Sequence, residues 1–134
     1  MRSFLAAIMM FTRLPLWRVI QVDKKYYSNV LLYWPLVGFV TGSATWATLH
    51  FISMIGVAHL PACILAIATR LLLTGALHED GLADFFDGFG GGTNKGKILS
   101  IMKDSHIGSY GTIGLIVYFL LYASFLYSLP VNAQ

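Results

Sequence analysis

Residues 74–111 have the sequence TGALHEDGLADFFDGFGGGTNKGKILSIMKDSHIGSYG, and the rest of the chain is organised around them. Every acidic residue of the protein except Asp23 lies in this stretch: Glu79, Asp80, Asp84, Asp87 and Asp104. The sequence on both sides is strongly apolar. Carboxylates gathered between hydrophobic segments predict a metal-dependent site at a membrane surface.

The composition indicates a membrane protein. Of the 134 residues, 57% are hydrophobic and 11% are charged, whereas about 25% are charged in soluble domains. A soluble fold of this size would need more polar residues to cover its surface. No Asp, Glu, Lys or Arg lies between Lys25 and Arg70, and none follows Asp104. Both runs are long enough for membrane-spanning helices, which need about 20 apolar residues.

We predict an all-α, multi-pass membrane fold with about three transmembrane helices, at residues 30–57, 62–77 and 112–129. The amphipathic segment 4–11 is too short to cross a bilayer and predicts an N-terminal interfacial helix. We expect residues 1–134 to form a single membrane domain. Within it, residues 78–111 are expected to form an acidic loop or helix in the cytoplasm, which is the active-site loop.

The first predicted span contains residues that disturb an ordinary helix. Pro35 predicts a kink, which neighbouring helices can satisfy in a membrane. Gly38 and Gly42 stand four apart and predict a face for close helix packing.

The basic residues indicate topology, because most of them precede the first span: Arg2, Arg13, Arg18, Lys24 and Lys25. The positive-inside rule then places the N-terminus and the acidic stretch in the cytoplasm. The net charge of +3 has this explanation and does not indicate nucleic-acid binding.

Three aspartates of the stretch have helical spacing. Asp80, Asp84 and Asp87 stand at i, i+4 and i+7, which places them on one face of a helix. A solvated acidic face is the alternative, but such a face usually carries interleaved lysines, and residues 78–94 contain none. Like charges that share a site need a counter-ion, and all-oxygen ligands suit Mg²⁺ or Mn²⁺.

The next segment is rich in glycine and lysine: Gly88, Gly90, Gly91, Gly92, Lys95, Lys97 and Lys103. Glycines allow close backbone approach with exposed N–H groups, and lysines supply positive charge, so the segment predicts a phosphate-binding loop. The alternative is a mobile connector. The Walker A pattern is absent.

The remaining polar residues of the stretch leave several roles open. Asp104 is either a further metal ligand or a cap of the helix that follows. His78 and His106 are candidates for acid–base catalysis near neutral pH.

Two motifs together resemble the cobalamin synthase family, that is, adenosylcobinamide-GDP ribazoletransferase: GALHEDGLADFFDGFGGG at 75–92 and IMKDSHIGSYG at 101–111. The segments FTRLP at 11–15 and YWPLVGFVTG at 33–42 are also similar to its N-terminal part. The resemblance covers nearly all of this chain, although the family continues with further membrane helices.

The resemblance implies a bacterial cytoplasmic (inner) membrane enzyme in the last step of cobalamin (vitamin B12) biosynthesis. Its partners would be membrane lipid, adenosylcobinamide-GDP and α-ribazole or its 5′-phosphate, with GMP released and Mg²⁺ as cofactor. The metal-ligand motif of the family falls on Asp80, Asp84, Asp87 and Asp104. Catalysis is assigned to Asp84, Asp80 and His78, and phosphate binding to Gly90, Gly91, Gly92, Lys95 and Lys103.

The chain departs from the family at Glu79, where the family is usually apolar. This residue either adds a charge near the metal, as a fifth ligand, or faces water. The absent C-terminal helices leave three further expectations: an inactive fragment, helices supplied in trans, or a homo-oligomer.

Two other functions fit parts of the sequence. A CDP-alcohol phosphotransferase uses similarly spaced aspartates, but its motif requires an arginine that the segment Asp80-Gly-Leu-Ala-Asp84 lacks. A small cation-binding transport subunit would line its spans with carboxylates, whereas the acids here lie in one stretch.

Overall fold

The computed structural model describes residues 2–129, and within that range it contains helices and turns but no strand. The α-helices are α1 (Arg2–Phe11), α2 (Trp34–Met54), α3 (His59–Thr74), α4 (Leu77–Gly91), α5 (Lys95–Ile101) and α6 (Ser109–Ser128). Two 3₁₀ segments, Leu16–Arg18 and Lys24–Tyr33, lie between α1 and α2. The predicted all-α class is confirmed.

Among the described residues, two helical segments are long and apolar enough to cross a membrane: Lys24–Met54 and Ser109–Ser128. Helix α3 has 16 residues, which at 1.5 Å per residue gives about 24 Å, less than the hydrocarbon core of about 30 Å. A third span results if α3 and α4 together form one broken span. The prediction of a multi-pass membrane protein is confirmed, with two or three spans.

The helices divide into two compact units, one ending at Ala76 and the other beginning at Leu77. This division does not test whether residues 1–134 form one membrane domain, which stays a prediction. Met1 and residues 130–134 lie outside the described residues.

The first unit is built on the buried face of α1. Ala6 and Ala7 are fully buried, and their small side chains allow close approach of the second 3₁₀ segment. Val30 and Val37 complete this apolar cluster from the segment and from α2. The predicted helix at 4–11 is confirmed, while its place at the membrane interface stays a prediction.

Helix α2 begins differently from the prediction. Pro35 lies in its first turn and not in its interior. First-turn N–H groups have no partner within a helix, so a proline costs no hydrogen bond there. Pro35 therefore does not kink the interior of α2.

Helix α2 packs against α3 through a face other than the predicted glycine face. The buried residues stand four apart: Val37, Thr41, Thr45 and Leu49. Gly38 and Gly42 are exposed, and a Cβ atom added at either would meet nothing within 4 Å. Within residues 2–129 the predicted close packing at these glycines is not formed.

Helix α3 ends in a left-handed turn. Gly75 has φ +68°, a conformation that glycine adopts at little cost. The Ala76 N–H reaches back to the Leu71 carbonyl at 3.0 Å, which is the hydrogen bond of a Schellman cap.

The second unit consists of α4, α5 and α6. Residues late in α4 contact the start of α6, and residues early in α4 contact its middle, so the two helices run antiparallel.

Most of the predicted active-site loop 78–111 is helical, and only residues 92–94 and 102–108 lie outside helices. A continuous loop at 78–111 is wrong, and the helical alternative is correct for its acidic half.

Candidate active site

Four acidic side chains of α4 differ in exposure. Glu79 and Asp87 are 4% and 8% exposed, whereas Asp80 is exposed and Asp84 is half-buried. Asp80 and Asp84 stand one turn apart on the same side of the helix. These two carboxylates are the acids of α4 that remain accessible to a ligand from solution.

Asp87 contacts the start of α6. Its Oδ2 accepts a hydrogen bond from the Gly108 N–H at 2.7 Å, and its Oδ1 accepts one from the Gly111 N–H at 2.8 Å. The first N–H groups of a helix lack partners within it, and the helix dipole favours negative charge there. The carboxylate thus caps α6 from a neighbouring helix.

Glu79 makes a second contact between α4 and α6. Its Oε1 accepts a hydrogen bond from the Tyr118 hydroxyl at 3.2 Å. The expectation that Glu79 faces water is wrong, because the side chain is buried between the helices.

Asp104 is paired locally. Its Oδ1 lies 2.6 Å from the His106 Nδ1 and accepts a hydrogen bond from the His106 N–H at 3.1 Å. The side-chain hydrogen bond lowers the pKa of Asp104 and raises the pKa of His106. Asp87 supplies the cap of α6, so the prediction that Asp104 caps the following helix is wrong.

The glycines at the end of α4 serve helix packing. Gly88, Gly90 and Gly91 belong to α4, and the Gly92 N–H donates to the Gly88 carbonyl at 2.9 Å. A Cβ atom at Gly92 would overlap Ile98 of α5, and one at Gly90 would overlap the Tyr110 ring. The predicted glycine loop with exposed N–H groups is wrong in its conformation, since these groups lie within a helical segment.

The predicted phosphate-binding lysines lie on and after α5. Lys95, Lys97 and Lys103 are exposed. The Asn94 side chain accepts a hydrogen bond from the Lys97 N–H at 3.0 Å and so caps α5. Phosphate binding by these lysines and by the glycines stays a prediction.

His78 is two residues before Asp80 on α4. Residues two apart on an α-helix point about 200° apart, so His78 faces away from the side that carries Asp80. The sequence spacing therefore does not bring this histidine to the accessible acids.

Within residues 2–129, no group of three or more His, Cys, Asp or Glu side chains is placed to hold a metal ion. The five predicted ligands are therefore not assembled into one site, and their metal binding stays a prediction. Asp80 and Asp84 still suit Mg²⁺, which is often bound by one or two carboxylates together with water and substrate phosphates.

The residues of α6 that contact α4 were not among the predicted site residues. Gly111 and Gly114 stand three apart in a helix of otherwise mostly bulky residues, and that spacing was the available signal. A Cβ atom at Gly111 would overlap Asp87, and one at Gly114 would overlap the Phe86 ring.

Known proteins are similar to this chain over most of its length. A family model described as cobalamin-5-phosphate synthase matches residues 3–133. Several similar proteins are named adenosylcobinamide-GDP ribazoletransferase. The one from Clostridium botulinum is 41% identical to this chain, and the match covers 98% of this chain and 53% of that relative. Those of Leptospira interrogans and a Shewanella species are each 43% identical, over 85% and 88% of this chain and 43% and 45% of the relatives.

The chain spans about half the length of the curated relatives that it matches. No solved structure matches it.

Proposed function

The chain belongs to the cobalamin-5-phosphate synthase family, and we propose that it takes part in the reaction named for its relatives. In that reaction adenosylcobinamide-phosphate is transferred from adenosylcobinamide-GDP to α-ribazole or its 5′-phosphate, and GMP is released. The observation that carries the proposal is the pair of accessible carboxylates, Asp80 and Asp84, one turn apart on α4.

Asp80 and Asp84 would hold Mg²⁺ against the pyrophosphate of the activated corrinoid. When bound, Mg²⁺ neutralises the charge that develops on the leaving phosphate. The ribazole hydroxyl oxygen forms a bond to the phosphorus that carries the corrinoid arm, and the bond from that phosphorus to the GMP oxygen breaks. The hydroxyl proton passes to Asp80 or Asp84, because these two acids share one side of α4. His78 lies on another side of the helix.

The lysines of α5 and the following turn would bind the phosphates of the substrate. Their exposed ammonium groups and the absence of acidic residues from 88 to 103 make this the most basic part of the second unit. We further propose that residues 78–111 face the cytoplasm of a bacterial inner membrane, as the positive-inside rule favours.

Family membership argues against the CDP-alcohol phosphotransferase and transport-subunit alternatives. Whether this chain acts alone is decided by assay. Membranes that contain it are incubated with adenosylcobinamide-GDP, α-ribazole and Mg²⁺, and GMP release is measured with and without chelation by EDTA.

We expect Asp84→Asn to lower GMP release roughly 100-fold or more, the scale of losing one main charge-stabilising group. The matched control is Asp23→Asn, because Asp23 is exposed and lies outside the acidic stretch. Equal activity of the two variants contradicts the assignment of Asp84. Absence of GMP release from the wild type contradicts activity of this chain alone.

A further inference from the structure

The carboxylate of Asp87 is committed to α6. It is 8% exposed, and each of its oxygens accepts a backbone N–H, from Gly108 at 2.7 Å and from Gly111 at 2.8 Å. Hydrogen bonds of this length to an ionised carboxylate are charge-assisted and about twice as strong as neutral ones. The positive end of the α6 dipole adds to the stabilisation.

The packing around Asp87 is close. A Cβ atom added at Gly111 would overlap the carboxylate and lie 3.0 Å from the Ala83 carbonyl oxygen. Glycine at 111 is therefore needed for α6 to approach α4 closely enough to form these hydrogen bonds.

A second buried contact lies two turns away along the same interface. Glu79 precedes Asp87 by eight residues, and Tyr118 follows Gly111 by seven. The antiparallel helices are thus joined at two points by carboxylates of α4. Asp80 and Asp84 make no such contact among the hydrogen bonds described for residues 2–129 and are the accessible acids of the helix.

We propose that Asp87 is a positioning residue and not a metal ligand. Its hydrogen bonds fix the start of α6 on α4. They thereby set the orientation, relative to α6, of the face of α4 that carries Asp80 and Asp84. This inference rests on the proposed function in one respect, since it assumes that these two acids bind the cation.

The contact is tested by amide hydrogen exchange on the chain in detergent micelles. In Asp87→Asn an amide NH₂ group replaces one carboxylate oxygen and cannot accept a hydrogen bond from the N–H that faces it. We therefore expect the Gly108 and Gly111 amides to exchange roughly tenfold faster or more. This is the factor for losing one hydrogen bond to a charged group. Asp84→Asn is the matched control, with exchange at both amides unchanged. Unchanged exchange in Asp87→Asn overturns the proposal.

The role is tested by Mn²⁺ binding, followed by electron paramagnetic resonance. We expect Asp84→Asn to abolish binding, whereas Asp87→Asn keeps the number of bound ions and weakens their affinity roughly tenfold. Abolished binding in Asp87→Asn with normal helical circular dichroism would make Asp87 a ligand. Unchanged affinity would make it purely structural, and either result overturns the proposal.

Gly111→Ala provides an independent variant that removes no carboxylate. Its methyl group displaces the Asp87 side chain, so we expect the same faster exchange at Gly108 and the same weaker Mn²⁺ affinity. Wild-type behaviour of this variant contradicts the proposal. If the wild type itself binds no Mn²⁺, the proposed function fails, and exchange still decides whether Asp87 holds α6.

Discussion

At the scale of single residues, the same carboxylate group has different chemistry in different places of the second unit. Asp87 is buried against backbone N–H groups, Asp84 is half-buried, and Asp104 is exposed beside a histidine. A carboxylate at a helix N-terminus contributes about 0.3–2 kcal/mol through the dipole alone, depending on burial. The environment of each aspartate therefore decides whether it stabilises the fold or remains available for a ligand.

The Asp104–His106 pair makes a testable prediction about pH. Because the hydrogen bond raises the pKa of His106 and lowers that of Asp104, both groups are charged between the two values. The charged pair is complete below the ordinary histidine pKa of about 6.5 and is lost as pH rises through the raised pKa of His106. We expect Asp104→Asn to lower the His106 pKa, as measured by NMR titration of its ring protons.

Asp23→Asn serves as the control for that titration, since Asp23 pairs with Lys25 at 3.6 Å. A His106 pKa that is the same in wild type and Asp104→Asn would contradict the pairing. Both groups are exposed, so the prediction concerns proton binding and not the free energy of unfolding.

At the scale of elements, glycines determine how closely α4 can approach its neighbours. A methyl group at Gly114 would overlap the Phe86 ring, whereas one at Gly81 would meet nothing within 4 Å. The first glycine is thus required by packing, and the second only weakens the helix, by about 1 kcal/mol relative to alanine.

We therefore expect Gly114→Ala to lower the melting temperature in detergent, because overpacking costs about 1–3 kcal/mol. Gly81→Ala is the matched control and should raise the melting temperature or leave it unchanged. A partial recovery in the double variant with Phe86→Ala would attribute the loss to the ring. Equal melting temperatures for both single variants would contradict the packing at Gly114.

At the scale of the whole molecule, the apolar helices indicate a membrane protein. The basic residues predict on which side of the membrane the N-terminus and the acidic stretch lie. The charge distribution predicts that the turn after α5 lies in the cytoplasm. We expect Ser105→Cys, in a Cys63→Ala background, to react with a membrane-impermeant thiol reagent only when the reagent has access to the cytoplasmic face of the membrane. Cys63 is the only native cysteine, so this background carries no competing thiol.

A cysteine at Ile55, after the end of α2, is the matched control for that experiment. It should react from the opposite face, because α2 is long enough to cross the membrane once. Labelling of both cysteines from the same side would contradict the predicted topology.

Sequence alone predicts the helical class, the membrane residence and the acidic stretch. These follow from local quantities: runs without charge, apolar segments of spanning length, and carboxylates at helical spacing. The family likewise follows from contiguous motifs around Asp80 and Asp104.

The contacts of each acid become visible only when the helices are packed together. Helical spacing puts Asp80, Asp84 and Asp87 on one side of α4, yet it cannot show that α6 begins beside Asp87 or that Tyr118 reaches Glu79. Those contacts join residues 21 to 39 positions apart, and they depend on glycines that let two helices approach. Long-range packing, which has no local signature in the sequence, therefore separates the buried acids of α4 from the accessible ones.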